Sequence, residues 1–366
     1  MSLVKKEEWW EETRNFKKTV KEEYLDINET LAELENNSSV IRLELNTIEL
    51  PLFSKDPKRI KNQIKIYHFK TDKSSYLEIE APANYSIPGE FEERVFIALT
   101  KIMKNNNYSR SFVVSANEIL ETLGLSNKAY YKRIREALTL LSKTNYTFLN
   151  SLYSNKESGI IEKKIISSIM NITIISKKDS RAKEIEAFED GRIKEVYEIN
   201  FTDYFYENII RKGYLAFDSG KLLAIENSVS RAIYTIVEKW RGYDLYIKRQ
   251  AFFIARRIPL KWDKTQIKRT IDTMEKALIE LRNLNLIKNY KIIKEKKWEL
   301  AEIEITYEES HNKTKRDTFF TEKNEFNSMD MLVTSTEEKI KCISEDFHSG
   351  EISEILNMFP EKVLEM

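Results

Sequence analysis

The chain has 366 residues, 41% of them hydrophobic, with 8 Gly, 6 Pro and one cysteine, Cys342. That length and apolar content suffice for two domains with their own cores, while a lone thiol excludes a disulfide framework and a Cys-based metal site. The formal net charge is +1, yet residues 239–298 hold 17 Lys/Arg against 6 Asp/Glu, a local +11, whereas residues 1–40 carry −4 and residues 308–366 carry −7. A basic centre between acidic ends is the distribution expected of a domain that contacts phosphates. The N-terminal MSLVKKEEWWEE has no apolar h-region and no apolar run reaches spanning length, so a cytoplasmic protein with no membrane partner is expected.

Residues 1–40 read first as a frayed helical arm and second as a docking helix, because Trp9, Trp10, Phe16, Tyr24, Leu31 and Leu34 form no stripe. A first winged-helix domain is expected over 41–176. The stretch from Val40 (VIRLELNTIELPLF), Asn62–Phe69 and Ser75–Glu80 alternate as strands do. Pro88-Gly89 marks a turn into a helix over Glu90–Lys104, and Ser111–Val114 reads as a short strand. Ser115 with Glu118 makes a capping box, Gly124 stops that helix, and Ser126 is expected to cap the next, Asn127–Ser142. Tyr146–Leu152 and Ile160–Ile175 are expected to form the wing. Residues 177–194, charged and poor in apolar side chains, read as a linker or mobile wing connection.

The order then repeats in a second winged-helix domain, 195–307. Glu195–Phe201 reads as a strand, Thr202–Arg211 as a helix and Ala216–Ile225 as an irregular linker. Asn227–Lys239 reads as a helix, Leu245–Ile247 as a strand, and 249–257 as a helix. The stretch Lys261–Arg282 carries Ile267, Ile271, Met274, Leu278 and Leu281 on one helical stripe, with Asp263 as the expected N-cap. Two helices joined by a tight turn, followed by a hairpin over Leu286–Lys294 and Lys297–Tyr307, make a winged helix-turn-helix pattern. Residues 308–366 form an acidic tail in which Ile340–Phe347 and Ile352–Phe359 are candidate short helices. The fold class expected is therefore α+β, with two tandem winged-helix domains between acidic ends.

No G-x-x-x-x-G-K-[ST] and no G-x-G-x-x-G occurs, and 8 Gly leave little for a phosphate-cradling loop. The three His, at 68, 311 and 348, have no second His or Cys at ligand spacing. No catalytic residue, metal site or cofactor is expected, and the protein is read as a non-enzyme. The cations point instead to double-stranded DNA. In a helix laid in the major groove, side chains near its N-terminus meet base edges and phosphates. In the second domain that group is Lys264, Thr265, Lys268 and Arg269, with Gln266 suited to an adenine edge. Arg256, Arg257 and Lys261 are expected along the phosphates, and Lys294, Lys296 and Lys297 at the wing tip. Trp240, Trp262 and Trp298 read as packing residues, with base stacking as the alternative. The first domain's matching positions are Asn127, Lys128, Tyr131, Lys132 and Arg135. It is less basic, 6 to 3 over residues 110–150, and either binds DNA weakly or contacts protein.

The runs Pro88–Leu99, Glu118–Ser126, Tyr131–Leu138 and Tyr197–Phe217 resemble the plasmid replication initiator protein A family. The likeness covers roughly 40–307 and rests on structural patterns, not catalytic signatures. It implies an initiator that binds repeated origin sites, opens the duplex locally and recruits host helicase and primase, with a homodimer among its states. The alternatives are a winged-helix repressor without a replication role, a protein-binding scaffold, and, last, a metal-dependent nuclease.

Overall fold

The computed structural model describes residues 39–319, apart from 70–72, 190 and 295. Most of the arm expected at 1–40 lies outside the described residues, as do Ile340–Phe347 and Ile352–Phe359. The chain enters as β1 (Val40–Glu44) and turns at once into a short helix, α1 (Leu45–Glu49). The alternation there suggested a continuing strand. The Glu44 carboxylate instead accepts the Thr47 N–H at 3.0 Å and bends the chain into the helix. β2 (Ile64–His68) and β3 (Tyr76–Glu80) follow where the alternation placed them, with Leu77 and Ile79 fully buried and Ile64 and Ile66 facing out.

α2 (Glu90–Asn105) starts after the Pro88-Gly89 turn, where the Glu92 carboxylate accepts the Gly89 N–H at 2.7 Å. β4 (Ser111–Ser115) leads into α3 (Ala116–Thr122), whose first turn is capped by the Ser115 hydroxyl accepting the Glu118 N–H at 3.2 Å. α4 (Tyr130–Lys143) begins later than expected. The Asn127 side chain, not Ser126, accepts the Ala129 N–H at 2.9 Å and holds a turn ahead of the helix. Ile134, Ala137, Leu138 and Leu141 are buried as its stripe requires.

The wing of this first set is not the pair of strands expected. β5 (Asn145–Leu149) leaves α4 and pairs with β3 and with β8 (Lys164–Ser167), giving a four-stranded sheet in the order β2-β3-β5-β8. Between them Tyr153–Ser154 and Gly159–Ile160 form a small hairpin, β6 and β7. The hairpin that packs on β4 is instead β9 (Met170–Ser176) with β10 (Glu195–Phe201), and β10 lies between β9 and β4. Residues 177–194, expected as a linker, are the tip of that hairpin. They fold back through Ala182 and Phe188 onto Ile175 and Val196. Glu195–Phe201, placed in the second domain from the sequence, therefore pairs with the first set. Alternation reports that a strand has a buried face but not which sheet buries it, so Tyr146 and Phe148 gave no clue to their partner.

α5 (Asp203–Ile210) precedes β11 (Tyr214–Asp218) and α6 (Ser219–Ala224), in a stretch expected to be irregular. β11 pairs antiparallel with β1, Val40 opposite Asp218, and Asp218 caps α6 by accepting the Lys221 N–H at 2.9 Å. α7 (Ser228–Arg241) buries Val229, Ile233, Ile236 and Val237 and ends at Gly242, φ +54°. Next come β12 (Tyr246–Gln250), α8 (Ala251–Arg257), α9 (Ile267–Asn283), β13 (Asn289–Ile293) and β14 (Glu302–Thr306), paired β12-β14-β13. The order helix, strand, helix, helix, hairpin thus occurs twice, in the first set with β5 to β8 inserted before the hairpin, and each time the hairpin's second strand is central, as β4-β10-β9 and β12-β14-β13.

Buried ion pairs join these parts. Glu93 on α2 meets Lys55 at 2.7 Å and Arg231 on α7 at 3.1 Å, linking the first helix of one set to that of the other. Burial pushes the Glu93 carboxyl up, but the two cations outweigh it and hold it below its ordinary range. The tail, expected to be broken from 308, continues as a helix, α10 (residues 309–319). Its Asn312 accepts from the buried Arg241 at 2.7 Å, and its Lys315 donates to the Glu238 carbonyl at 2.6 Å, so it caps the C-terminal end of α7.

Candidate nucleic-acid interface

The α9 helix is held by its apolar side. Ile267, Ile271, Met274, Ala277, Leu278 and Leu281 are each 3% exposed or less. A helix so backed has one free face, and at its start that face carries Lys268 and Arg269, both exposed. Lys264, Thr265 and Gln266 are exposed as well, but they form a turn ahead of the helix. Asp263 builds that turn without capping the helix. Its carboxylate accepts the Thr265 N–H at 2.8 Å and hydroxyl at 2.7 Å, which holds the carboxyl below its ordinary range. The Thr270 hydroxyl donates to the Lys261 carbonyl at 2.6 Å, and Leu260 N–H to the Ala255 carbonyl at 2.8 Å, fixing the α8–α9 connection from both ends.

The β13–β14 hairpin meets this face through one aromatic ring. Trp298 has the Lys294 ammonium 4.9 Å from its ring centroid and the Lys268 ammonium 5.8 Å away. The hairpin and α9 therefore present their cations side by side, with Lys296 and Lys297 exposed beyond. Lys268 also reaches Asp272 one turn on at 3.1 Å, an exposed pair. Trp262 packs edge-on against Phe252 at 5.7 Å, as the packing reading required.

Arg256 and Arg257 lie on α8, as expected, and each also has a partner distant in sequence. The Arg256 guanidinium donates to the His68 carbonyl at 3.0 Å, and Arg257 pairs with Glu49 at 3.3 Å. Lys239 joins the same carboxylate at 2.6 Å. These arginines fasten α8 to α1 and to the end of β2, a job no local pattern announces because the partners are distant in sequence. Lys261 remains exposed.

On the first set the matching positions come together at the start of α4, but several are engaged. Tyr131 donates to Asn117 at 2.9 Å, Arg135 meets Glu195 at 3.5 Å and Lys132 lies 3.9 Å from Glu136. Asn127 is used in its turn, and Lys128 is exposed. Arg133, which the sequence reading passed over, lies with its guanidinium 4.0 Å above the Phe91 ring.

The family model of replication initiator protein A matches residues 42–247. The chain belongs to that family. The matched span takes in β1 to the start of β12, so it includes the first set entire and stops before α8 and α9. Lys264, Lys268, Arg269, Lys294, Lys296 and Lys297 of this initiator-family chain thus lie C-terminal to the matched residues. Among solved structures the chain is similar to two crystal structures of domains 2 and 3 of RctB, at 12% identity, with TM-scores of 0.49 and 0.44, each covering 72% of this chain and 98% of the other. No curated protein matches the sequence. Among the described residues no helix is long and apolar enough to cross a membrane.

Proposed function

We propose that this family member binds double-stranded DNA sequence-specifically and initiates plasmid replication at repeated origin sites, using two tandem winged-helix domains. The first would comprise α2 to β10 and the second α7 to β14, with 177–194 inside the first. The observation that carries the reading is the exposed group Lys264, Thr265 and Gln266 in the turn before α9 with Lys268 and Arg269 on its first turn, the helix's opposite side being buried, in a chain of an initiator family. Thr265 and Gln266 offer uncharged donors and acceptors to base edges, and the cations around them suit the phosphates on either side. The second domain supplies most of the affinity, and the first reads DNA more weakly or meets a protein partner.

On this reading the protein acts in the cytoplasm without catalytic chemistry. Its consequence is local duplex opening and recruitment of a host helicase or primase, with a homodimer as a further state. The test is footprinting of the purified chain on the DNA adjoining its own coding sequence. Protection of direct repeats, lost at high salt, is expected. Uniform or absent protection at low salt would refute the reading.

A further inference from the structure

Trp298 opens a short turn, Trp298–Leu300, between the end of β13 at Ile293 and the start of β14 at Glu302. The turn is anchored at its base. Ala301 is fully buried, and its carbonyl accepts the N–H of Ala251, the first residue of α8, at 2.8 Å. The Ala301 N–H donates to the Trp298 carbonyl at 3.1 Å, and the Leu300 N–H to the Lys297 carbonyl at 3.2 Å. The turn packs against α8 and α9 alike. The backbone that carries the indole is thus tied to the two helices it lies beside.

The two ammonium groups at this ring come from different elements. Lys268 stands on the first turn of α9, 5.8 Å from the centroid, and Lys294 just past β13, 4.9 Å from it. Like charges drawn to one ring repel each other, and the negative π face offsets part of that repulsion. Carboxylates do not do this for both. Asp272 meets the Lys268 ammonium at 3.1 Å, whereas among the described residues Lys294 has no carboxylate within ion-pair distance. The anions near by do not cancel the cations either. The loop 294–299 has three Lys to two Glu, and the first six residues of α9 have Lys268 and Arg269 to Asp272. A lysine side chain loses rotamer freedom when it settles on a phosphate, so a ring that already confines it lowers the cost of binding.

We propose that Trp298 is a positioning residue for duplex binding. It holds the α9 lysine and the hairpin lysine together, so that helix and hairpin engage neighbouring phosphates as one unit. The proposal rests on the duplex-binding reading above. The indole itself touches no DNA, and its whole effect passes through Lys268 and Lys294.

The test is a mutant cycle on the full chain, read as duplex affinity by fluorescence anisotropy with thermal melting alongside. The probe is a labelled duplex of roughly 30 base pairs, about three helical turns, from the DNA adjoining the coding sequence. Trp298→Leu removes no charge and should weaken binding about tenfold, the worth of two exposed cation–π contacts. Trp298→Phe keeps a π face and should lose less than about threefold. In a chain already carrying Lys268→Ala and Lys294→Ala, adding Trp298→Leu should cost nothing further. Undiminished affinity in Trp298→Leu overturns the proposal. So does an equal loss when both lysines are already gone, because the ring then acts by itself. Should Trp298→Leu not fold, NMR of the unaltered chain decides. Two lysine ε-methylene signals should stand upfield through the ring current, one vanishing in Lys268→Ala and the other in Lys294→Ala, and unshifted signals overturn the proposal. Each of these failures leaves the α9 reading standing. If the unaltered chain binds no duplex at low salt, the duplex reading fails and takes the role of Trp298 with it.

Discussion

Replacing Lys268 and Arg269 by alanine removes the two cations that the first turn of α9 presents. The structure bounds what this does to the fold. Both residues are exposed, and among the described residues the partners of the Lys268 ammonium are Asp272 at 3.1 Å and the Trp298 ring, 5.8 Å to its centroid. An exposed i,i+4 pair contributes about 0.3–0.5 kcal/mol and an exposed cation–π contact about 0.5–1 kcal/mol. Alanine is also the better helix former, which returns a few tenths of a kcal/mol. The net loss of stability is therefore about 1 kcal/mol or less. Binding should suffer far more. Two phosphate contacts account for about 1.8 in the salt slope, and a base contact by either side chain adds about 1–3 kcal/mol of discrimination. The assay is a salt titration on DNA protected in footprinting, with thermal melting alongside. Specific binding should be abolished with the melting temperature nearly kept. Near-wild-type affinity would remove α9 from the interface, and a large drop in melting temperature would mean that these side chains support the fold.

Two buried features give further predictions. Burial raises the Glu44 carboxyl from its ordinary 4.5 to about 7, against hydrogen bonds from Asn46, Asn208 and Thr47 that favour the ionised form. A folded-state value above the unfolded one means the fold holds the extra proton. The stabilisation is complete below about pH 4.5 and is lost as pH rises through about 7, amounting to about 3 kcal/mol. Glu44→Gln should flatten that part of a stability–pH profile measured in urea, and an unaltered profile would refute the assignment. Arg231→Ala leaves Glu93 buried with Lys55 as its remaining cation and strips the Ile225 carbonyl of its 2.6 Å donor. Breaking a buried pair from one side costs about 3–5 kcal/mol, and a loss under about 1 kcal/mol by denaturation would show that water reaches the cluster.

Local order was readable where residues near in sequence settle it. The α9 stripe, the Ser115 cap and the alternation of β2 and β3 all depend on a single segment's own period or turn chemistry. The misplaced strand pairings share one cause. β1 with β11, and β5 with β3 and β8, are pairings between distant segments, and a period of two carries no address. The tip at 177–194 passed for a linker because Phe188 and Ala182 are few among its charges, yet they suffice to fold it onto Ile175 and Val196. The candidate interface divides the same way. The exposure of Lys268 and Arg269 on α9 could be read from the helix period, whereas the turn at Lys264 to Gln266 could not, and the contacts of Arg256 and Arg257 were hidden because Glu49 and the His68 carbonyl are remote in the chain.

The two helix faces differ in the number of cations more than in how those cations are paired. Arg135 and Lys132 face carboxylates at 3.5 and 3.9 Å, while Lys268 faces one at 3.1 Å. Exposed pairs are worth about 0–1 kcal/mol each, so freeing the first face for a phosphate would cost only about 1–2 kcal/mol. Pairing alone cannot make that face inert. The surrounding field separates the two faces more strongly, with 6 cations to 3 anions over residues 110–150 against 17 to 6 over residues 239–298. On the proposed reading that field would draw a polyanion to the second set from a distance, toward Lys294 and Lys268, which lie over Trp298. The first set, joined to the second through Glu93 and Arg231, would on that reading meet DNA already held nearby, where weaker and less charged contacts suffice.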